Sequence, residues 1–317
     1  MEQLKGMKRM NLYNQLIEIV SQENVVKDKP LKNHTYTELG GTADFFVTPV
    51  NYQQVQDVVK LANKIEIPFM LLGNGSNLII KDGGIRGIVM YLGELNAIRI
   101  EGSSLFAQSG ALIRQVSKTA LQHELSGIEF ACGIPGSVGG ALFMNAGAYG
   151  GEIKDCLLHA TVVDIEGNLL HLAAEDLEMS YRNSNIYRKQ YIVLEAEFGL
   201  MPGSYLDIKA VMDDLTNKRE SKQPLEYPTC GSVFKRPPGH FAGKLIQDNQ
   251  LQGVEIGGAQ VSLKHAGFII NKNEATAEEY ISLIEHVQNV VKKHSAVTLE
   301  REVRIIGEDP IPSVRTS

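Results

Sequence analysis

A glycine loop set between two apolar runs limits what this chain can fold into. Gly73-Asn74-Gly75-Ser76-Asn77 follows the apolar run 67–72 and precedes Leu78-Ile79-Ile80. Both runs have the length and composition of strands. A phosphate loop of the Walker type must end in Gly-Lys-Ser/Thr, and this one does not. A dinucleotide fingerprint needs a third glycine where Leu78 stands, and a helix after the loop rather than a strand. An anion held here would therefore not rest on a helix N-terminus. It would rest in a nest of backbone N–H groups, helped by the side chains of Ser76 and Asn77. The glycines permit left-handed backbone and close approach. Taken alone, the loop also fits a plain hairpin turn.

A second stretch tips that balance. Residues 133–151 hold Gly133, Gly136, Gly139, Gly140, Gly147, Gly150 and Gly151 in otherwise apolar surroundings. Turns rarely need glycine at such density. Two glycine-rich loops from different parts of the chain can close on one long ligand, and a dinucleotide such as FAD has that length.

Proline and glycine punctuation divides the rest. The amphipathic run 10–20 reads as a helix. Asn51 caps a helix with apolar positions Val55, Val58, Val59 and Ala62. Strands follow at 67–72, 78–80 and 87–92, with Asp82-Gly83-Gly84 as a turn. A helix is expected over 111–125, strands over 160–164 and 191–196, and a hairpin turn at Gly167-Asn168. After Pro202-Gly203 come a helix over 206–221 and another opened by Thr276 and Glu279, a capping box. The buried face of that second helix is Tyr280, Ile284, Val287 and Val291. A last strand is expected over 298–306, and the tail after Gly307 reads as disordered. Strands and helices without steady alternation indicate an α+β chain. The divisions are 1–95, 96–215, 216–309 and a tail at 310–317.

Candidate reactive groups are fewer. Ser232 lies in the run 228–237 (PTCGSVFKRP) without the G-x-S-x-G elbow of a hydrolase. Gly231 gives access to it, and Lys222, Lys235 and Arg236 bring positive charge nearby in sequence, which suits an anionic substrate. On the last strand, alternation puts Glu300, Glu302 and Arg304 on one face and Leu299, Arg301 and Val303 on the other. By pattern alone, Glu302 and Arg182 read as solvated, ion-paired positions.

Composition excludes several classes. The net charge of −6 over 317 residues speaks against nucleic acid. Three cysteines, Cys132, Cys156 and Cys230, are odd in number and widely spaced, against a disulfide framework and against zinc. The histidines form no HxH or HxxxH pattern, so no metal is expected. Lys5, Lys8 and Arg9 are not followed by the apolar run of a targeting peptide, and no run is long enough to span a membrane. A cytoplasmic protein is expected.

Together the motifs resemble those of the UDP-N-acetylenolpyruvoylglucosamine reductase family, from about Asn33 to Gly307. They are the segments 34–44 (HTYTELGGTAD), 72–78 (LGNGSNL), 133–140 (GIPGSVGG), 145–150 (NAGAYG), Tyr181-Arg182, 230–237 (CGSVFKRP) and 299–307 (LEREVRIIG). The resemblance implies two subdomains that cradle FAD in the manner of the vanillyl-alcohol-oxidase-like flavoproteins, with a C-terminal α+β substrate domain. It implies noncovalent FAD, NADPH as co-substrate and a UDP-sugar as substrate. The implied FAD contacts are Gly73, Asn74, Gly75, Ser76, Asn77, Leu78, Gly133, Pro135, Gly136, Ser137, Gly139, Gly140, Asn145 and Gly147. Ser232 matches the family's catalytic serine, Glu302 its glutamate and Arg182 its arginine. Lys222 matches a diphosphate-binding lysine, and Tyr181, Arg219 and Arg236 are further substrate contacts.

The chain departs from the family pattern in two places. Arg236 stands where better-known members carry a substrate-contacting asparagine, and the insertion bearing a substrate-loop tyrosine in longer members is absent. Two rivals remain: another FAD-dependent oxidoreductase of the same superfamily, and a nucleotide-sugar binder without activity. The basic set near Ser232 disfavours most oxidases, and the joint presence of Arg182, Ser232 and Glu302 disfavours the binder.

Overall fold

The structure is a computed structural model that describes residues 2–310, with side chains from residue 9 onward. The chain separates into two compact units. The first takes residues up to Asp28, then Asp44–Asn74 and Gly87–Asn217, and the second takes Lys29–Ala43, Gly75–Arg86 and the chain from Lys218.

The first unit has two hydrophobic cores. One is built on a four-stranded sheet in the order Val25–Pro30, Thr42–Val47, Ile85–Tyr91, Phe69–Leu72, with the last two strands parallel. Helix Tyr52–Lys64 starts where expected. The Asn51 side chain accepts from the Gln54 N–H at 2.9 Å, and Val55, Val58, Val59 and Ala62 are buried. They pack with Leu12, Leu16 and Val20 of the N-terminal helix Glu2–Val20.

The other core is built on a five-stranded sheet in the order Leu169–Ala173, Leu157–Val163, Ile192–Gly199, Ser104–Gln108, Ile98–Glu101, antiparallel throughout. Gly167, at φ +85°, makes the expected turn between its first two strands. The helix expected over 111–125 is shorter, Ile113–Gln122. Glu124 takes a left-handed φ of +56°, which ends the helix and frees Leu125-Ser126 to pair with Met201-Pro202. A short helix, Val138–Met144, also sits inside the glycine-rich stretch, where the glycine density had masked it. Helix Tyr205–Lys222 then carries the chain into the second unit.

In the second unit, Leu78–Ile80 pairs in parallel with Arg304–Ile306, and a three-stranded antiparallel sheet runs Glu255–Ile256, Ala259–Val261, Ile269–Asn271. Helix Ala277–Ser295 buries Tyr280, Ile284, Val287 and Val291 as its periodicity demands. Its start is fully partnered. Thr276 and Glu279 form the capping box, and the Asp82 carboxylate accepts from the N–H of Ala277 at 2.9 Å and of Glu278 at 3.1 Å.

The last strand departs from expectation, because regular pairing covers only Arg304–Ile306. Upstream, the N–H groups of Glu302 (2.8 Å) and Val303 (3.4 Å) converge on one carbonyl, that of Val233. Two residues facing one is a bulge, and it breaks the ladder. Leu299 and Val303 face the core while Arg301 is exposed. Of the tail, Glu308 pairs with Gly84 and Asp309 with Lys81, whereas the disorder expected beyond Pro310 lies outside the described residues. No helix among the described residues is long and apolar enough to cross a membrane.

Candidate active site

The chain passes from one unit to the other within the 73–78 loop, so Gly73 and Asn74 lie in the first unit and Gly75 to Leu78 in the second. In the first unit the two glycine loops meet. A Cβ on Gly73 would lie 2.8 Å from the Ser137 Oγ, and the Asn74 side-chain amide donates to the Pro135 carbonyl. Ser137 caps helix Val138–Met144, accepting from the Gly140 N–H. The segment 109–113 anchors the loop from behind: Ile113 N–H donates to Gly136 O at 3.0 Å, and Gly139 N–H to Ser109 O at 2.9 Å. At Gly139 a Cβ would come within 2.2 Å of the Ser109 Oγ, so this glycine serves close packing. Gly133 lies just ahead of this cradle and Gly140 is exposed at its rim.

Asn145 is fully buried and ends the short helix in left-handed backbone. Its side chain is committed within the protein. The amide donates to Glu152 Oε2 (2.9 Å) and Ser180 O (3.2 Å), and the carbonyl accepts from Lys154 N–H (3.0 Å). Gly147 opens a hairpin whose other strand ends at Glu152. The Gly147 carbonyl accepts from the guanidinium of Arg182 at 3.4 Å. Arg182 itself has a left-handed φ of +55° inside a turn closed between Ser180 and Asn183, and it lies over the ring of the exposed Tyr181.

In the second unit, Gly75 is buried at φ +63°, and a Cβ there would lie 2.0 Å from the His34 carbonyl oxygen. The Tyr36 N–H donates to the Gly75 carbonyl. Residues 34–37 and 75–78 are thus packed together within the second unit. Ser76 is half-buried beside it, and Leu78 begins the strand. Asn77 faces the chain's last strand: its carbonyl accepts from Arg304 N–H at 3.2 Å, and its amide donates to the Glu302 carbonyl at 3.3 Å.

Ser232 and Glu302 come together here. Ser232 bridges Phe268 on one side, and its neighbour Val233 accepts from Glu302 on the other. Ser232 is exposed, beside a Gly231 that leaves open space, and Glu302 is half-buried. Behind them Cys230 is buried against the Tyr280 hydroxyl at 3.4 Å. Burial pushes the Cys230 thiol up to about 11, and the Glu302 carboxylate adds to the rise.

The cations singled out by the sequence differ in their surroundings. Lys235, counted among them by sequence, is spent on Glu300 at 2.5 Å. Arg236 is exposed and stacks 4.0 Å over the Phe241 ring. Arg219 is half-buried and Lys222 exposed in the last turn of helix Tyr205–Lys222. The residue beside the site that sequence reasoning passed over is Glu152, whose carboxylate accepts from the buried Asn145 amide.

Comparison with known proteins identifies the arrangement. Residues 43–173 match the FAD binding domain family, and residues 223–306 match the C-terminal domain of UDP-N-acetylenolpyruvoylglucosamine reductase. The UDP-N-acetylenolpyruvoylglucosamine reductase of Oceanobacillus iheyensis is 65% identical over 301 residues, covering 95% of this chain and 98% of that protein. That of Staphylococcus aureus strain COL is 56% identical over 300 residues, again covering 95% and 98%. The crystal structure of the reductase from Thermus caldophilus superposes with a TM-score of 0.77 at 31% identity, over 89% of this chain and 97% of that one. A glucose dehydrogenase, Phl p 4.0202, reaches a TM-score of 0.51 at 15% identity, over 62% of this chain and 44% of that one, and shares the fold only. The expected α+β architecture, an FAD-binding part followed by a second α+β domain, is borne out. The chain is an FAD-dependent oxidoreductase and belongs to the UDP-N-acetylenolpyruvoylglucosamine reductase family.

Proposed function

We propose that the protein reduces UDP-N-acetylglucosamine enolpyruvate to UDP-N-acetylmuramate, a step of peptidoglycan precursor synthesis in the cytoplasm, with noncovalent FAD and with NADPH as co-substrate. The observation that carries this reading is the bond from Glu302 N–H to Val233 O, which fixes Glu302 beside Ser232. The cradle of Gly73, Asn74, Pro135 and Ser137 fits a diphosphate: it is tight, glycine-lined and edged with short polar groups. Gly75, Ser76, Asn77, Leu78, Gly133, Gly136, Gly139, Gly140, Asn145 and Gly147 complete the proposed FAD contacts, Asn145 through its backbone. FAD bound there would supply hydride-transfer chemistry between NADPH and C3 of the enolpyruvyl double bond.

The protein's own groups do the rest. Addition at C3 builds negative charge on C2 and the neighbouring carboxylate. Arg182 is a fixed cation that stabilises that charge without reorganising. Ser232 delivers a proton to C2: its hydroxyl is a weak acid, but the carbon it faces is a strong base. Glu302 in its carboxylic-acid form would donate a hydrogen bond to the carboxylate. Lys222, Arg219, Arg236 and Tyr181 bind the anionic remainder. In this reading 1–95 and 96–215 form the FAD-binding part, and 216–309 the substrate domain.

The test separates the half-reactions. The purified protein should carry flavin absorbance, lose it on anaerobic addition of NADPH, and regain it with the enolpyruvyl sugar. Ser232→Ala should leave the loss nearly intact and slow the recovery by two orders of magnitude or more, on the scale of about 10²–10⁴ for a proton donor. Equal slowing of both phases would remove Ser232 as the acid. Bleaching without recovery in the parent protein would point to a different anionic substrate.

A further inference from the structure

Arg182 carries a demanding role on an awkward backbone. It is left-handed at φ +55°, a conformation that holds for a long side chain only when its surroundings impose it. Its guanidinium reaches the Gly147 carbonyl at 3.4 Å. Two neighbours supply the constraint. The buried Asn145 amide holds Ser180 O at 3.2 Å, the same carbonyl that closes the turn by accepting from Asn183 N–H at 3.1 Å. The same amide holds Glu152 Oε2 at 2.9 Å, and Lys154 Nζ holds that oxygen from the other side, also at 2.9 Å. Glu152 stands opposite Gly147 in the hairpin, so its carboxylate lies next to the carbonyl that receives Arg182. The Glu152 carboxyl is held below its usual range first by Lys154, then by Asn145 and by the charge of Arg182, so the two ends of the network sense each other.

We infer that Asn145 and Glu152 are positioning residues for Arg182: Asn145 ties the turn that carries it, and Glu152 keys Asn145 and the hairpin that receives its guanidinium. The acceptor oxygens of Glu152 do this, through the bond from the Asn145 amide. The inference rests on the proposed role of Arg182.

Three variants test it on the full-length holoenzyme: Glu152→Ala, Glu152→Gln and Arg182→Lys. Glu152→Ala should slow flavin reoxidation by the enolpyruvyl sugar about tenfold and leave reduction by NADPH and flavin content unchanged. Calorimetric titration of the oxidised protein should show weaker binding of that sugar, by threefold or more. Glu152→Gln keeps an acceptor for Asn145 and should stay within threefold of the parent in both measurements. Adding Glu152→Ala to Arg182→Lys should slow reoxidation by less than twofold further, because the two act through one group. Full-rate reoxidation in Glu152→Ala, or equal slowing of both half-reactions, would overturn the inference. So would full additivity in the double variant. If Arg182→Lys alone leaves reoxidation unchanged, the role assigned to Arg182 fails instead.

Discussion

Replacing Gly75 with alanine should damage the cofactor loop in a way that can be separated from ordinary backbone strain. Two terms act. Alanine at φ +63° carries the left-handed penalty, about 1–2 kcal/mol, partly offset by about 0.4–1 kcal/mol from the lower entropy of the unfolded chain. The second term is steric. The new methyl would sit 2.0 Å from the His34 carbonyl oxygen and 2.9 Å from Thr35 Cα, both backbone atoms that cannot swing away. Relief needs a shift of about 1.4 Å to reach ordinary van der Waals contact. Such a shift breaks the 3.1 Å bond from Tyr36 N–H to Gly75 O, worth about 0.5–1.5 kcal/mol, and disturbs packing around it.

Gly239 in the same unit is the control. It has φ +74° and nothing within 4 Å of a built Cβ, so Gly239→Ala carries the first term alone. Gly75→Ala should exceed it by about 2–3 kcal/mol, and at roughly 3 °C per kcal/mol the second unit should melt about 6–9 °C lower than in the control. The assays are calorimetric unfolding and flavin retention after desalting. Only Gly75→Ala should lose flavin. Melting within about 2 °C of the control, with full flavin retained, would refute both the clash and the loop's place at the cofactor.

Other outcomes follow from local chemistry. Asp82→Ala strips two N–H groups at the start of helix Ala277–Ser295 of their acceptor and should destabilise by about 1–2 kcal/mol in thermal unfolding. The Glu279 carboxyl is held below its usual value by hydrogen bonds from the backbone of Thr276 and then Gly258. A depressed folded value means stability that is present above the unfolded value of 4.5 and lost as pH falls through the lower folded value. The advantage of the parent over Glu279→Gln should therefore be full at neutral pH and vanish on acidification below that range. An advantage that grows with acid would contradict it. Burial pushes Cys156 up to about 12 and Cys230 up to about 11. At pH 8 the Cys230 thiolate is then about one part in a thousand, so neither thiol should react with a disulfide reagent until the protein is unfolded.

The sequence carried the local half of this structure. The failed fingerprint at Gly73 to Leu78 was informative because Leu78 does begin a strand, so the loop cannot feed a helix dipole. Thr276 and Glu279 announced a helix that forms as written, since capping and a 3.6-residue stripe need only near neighbours. The last strand misled because the bulge at Glu302 and Val303 is set by Val233, some seventy residues away, and alternation cannot register it. The helix in the second glycine stretch was hidden because Gly139 and Gly140 are poor helix formers, Gly139 being required for close packing on Ser109. Asn145 reads as a ligand by motif, and its side-chain bonds to Glu152 and Ser180 are not legible in the pattern, because the turn at Ser180 lies far along the chain.

The parallel pairing of Leu78–Ile80 with Arg304–Ile306 has a consequence for how the protein is made. The first unit is complete once residue 217 has left the ribosome, but two segments of the second, 29–43 and 75–86, emerge long before their partner strand exists. Through the synthesis of another two hundred residues, Leu78, Ile79 and Ile80 wait with open hydrogen-bonding edges. At roughly 5–20 residues per second this lasts between ten seconds and most of a minute, long enough for aggregation or chaperone capture to compete. Nascent chains stalled just short of Arg304 should accordingly be cut by protease within 75–86 and spared there once residue 306 has cleared the exit tunnel.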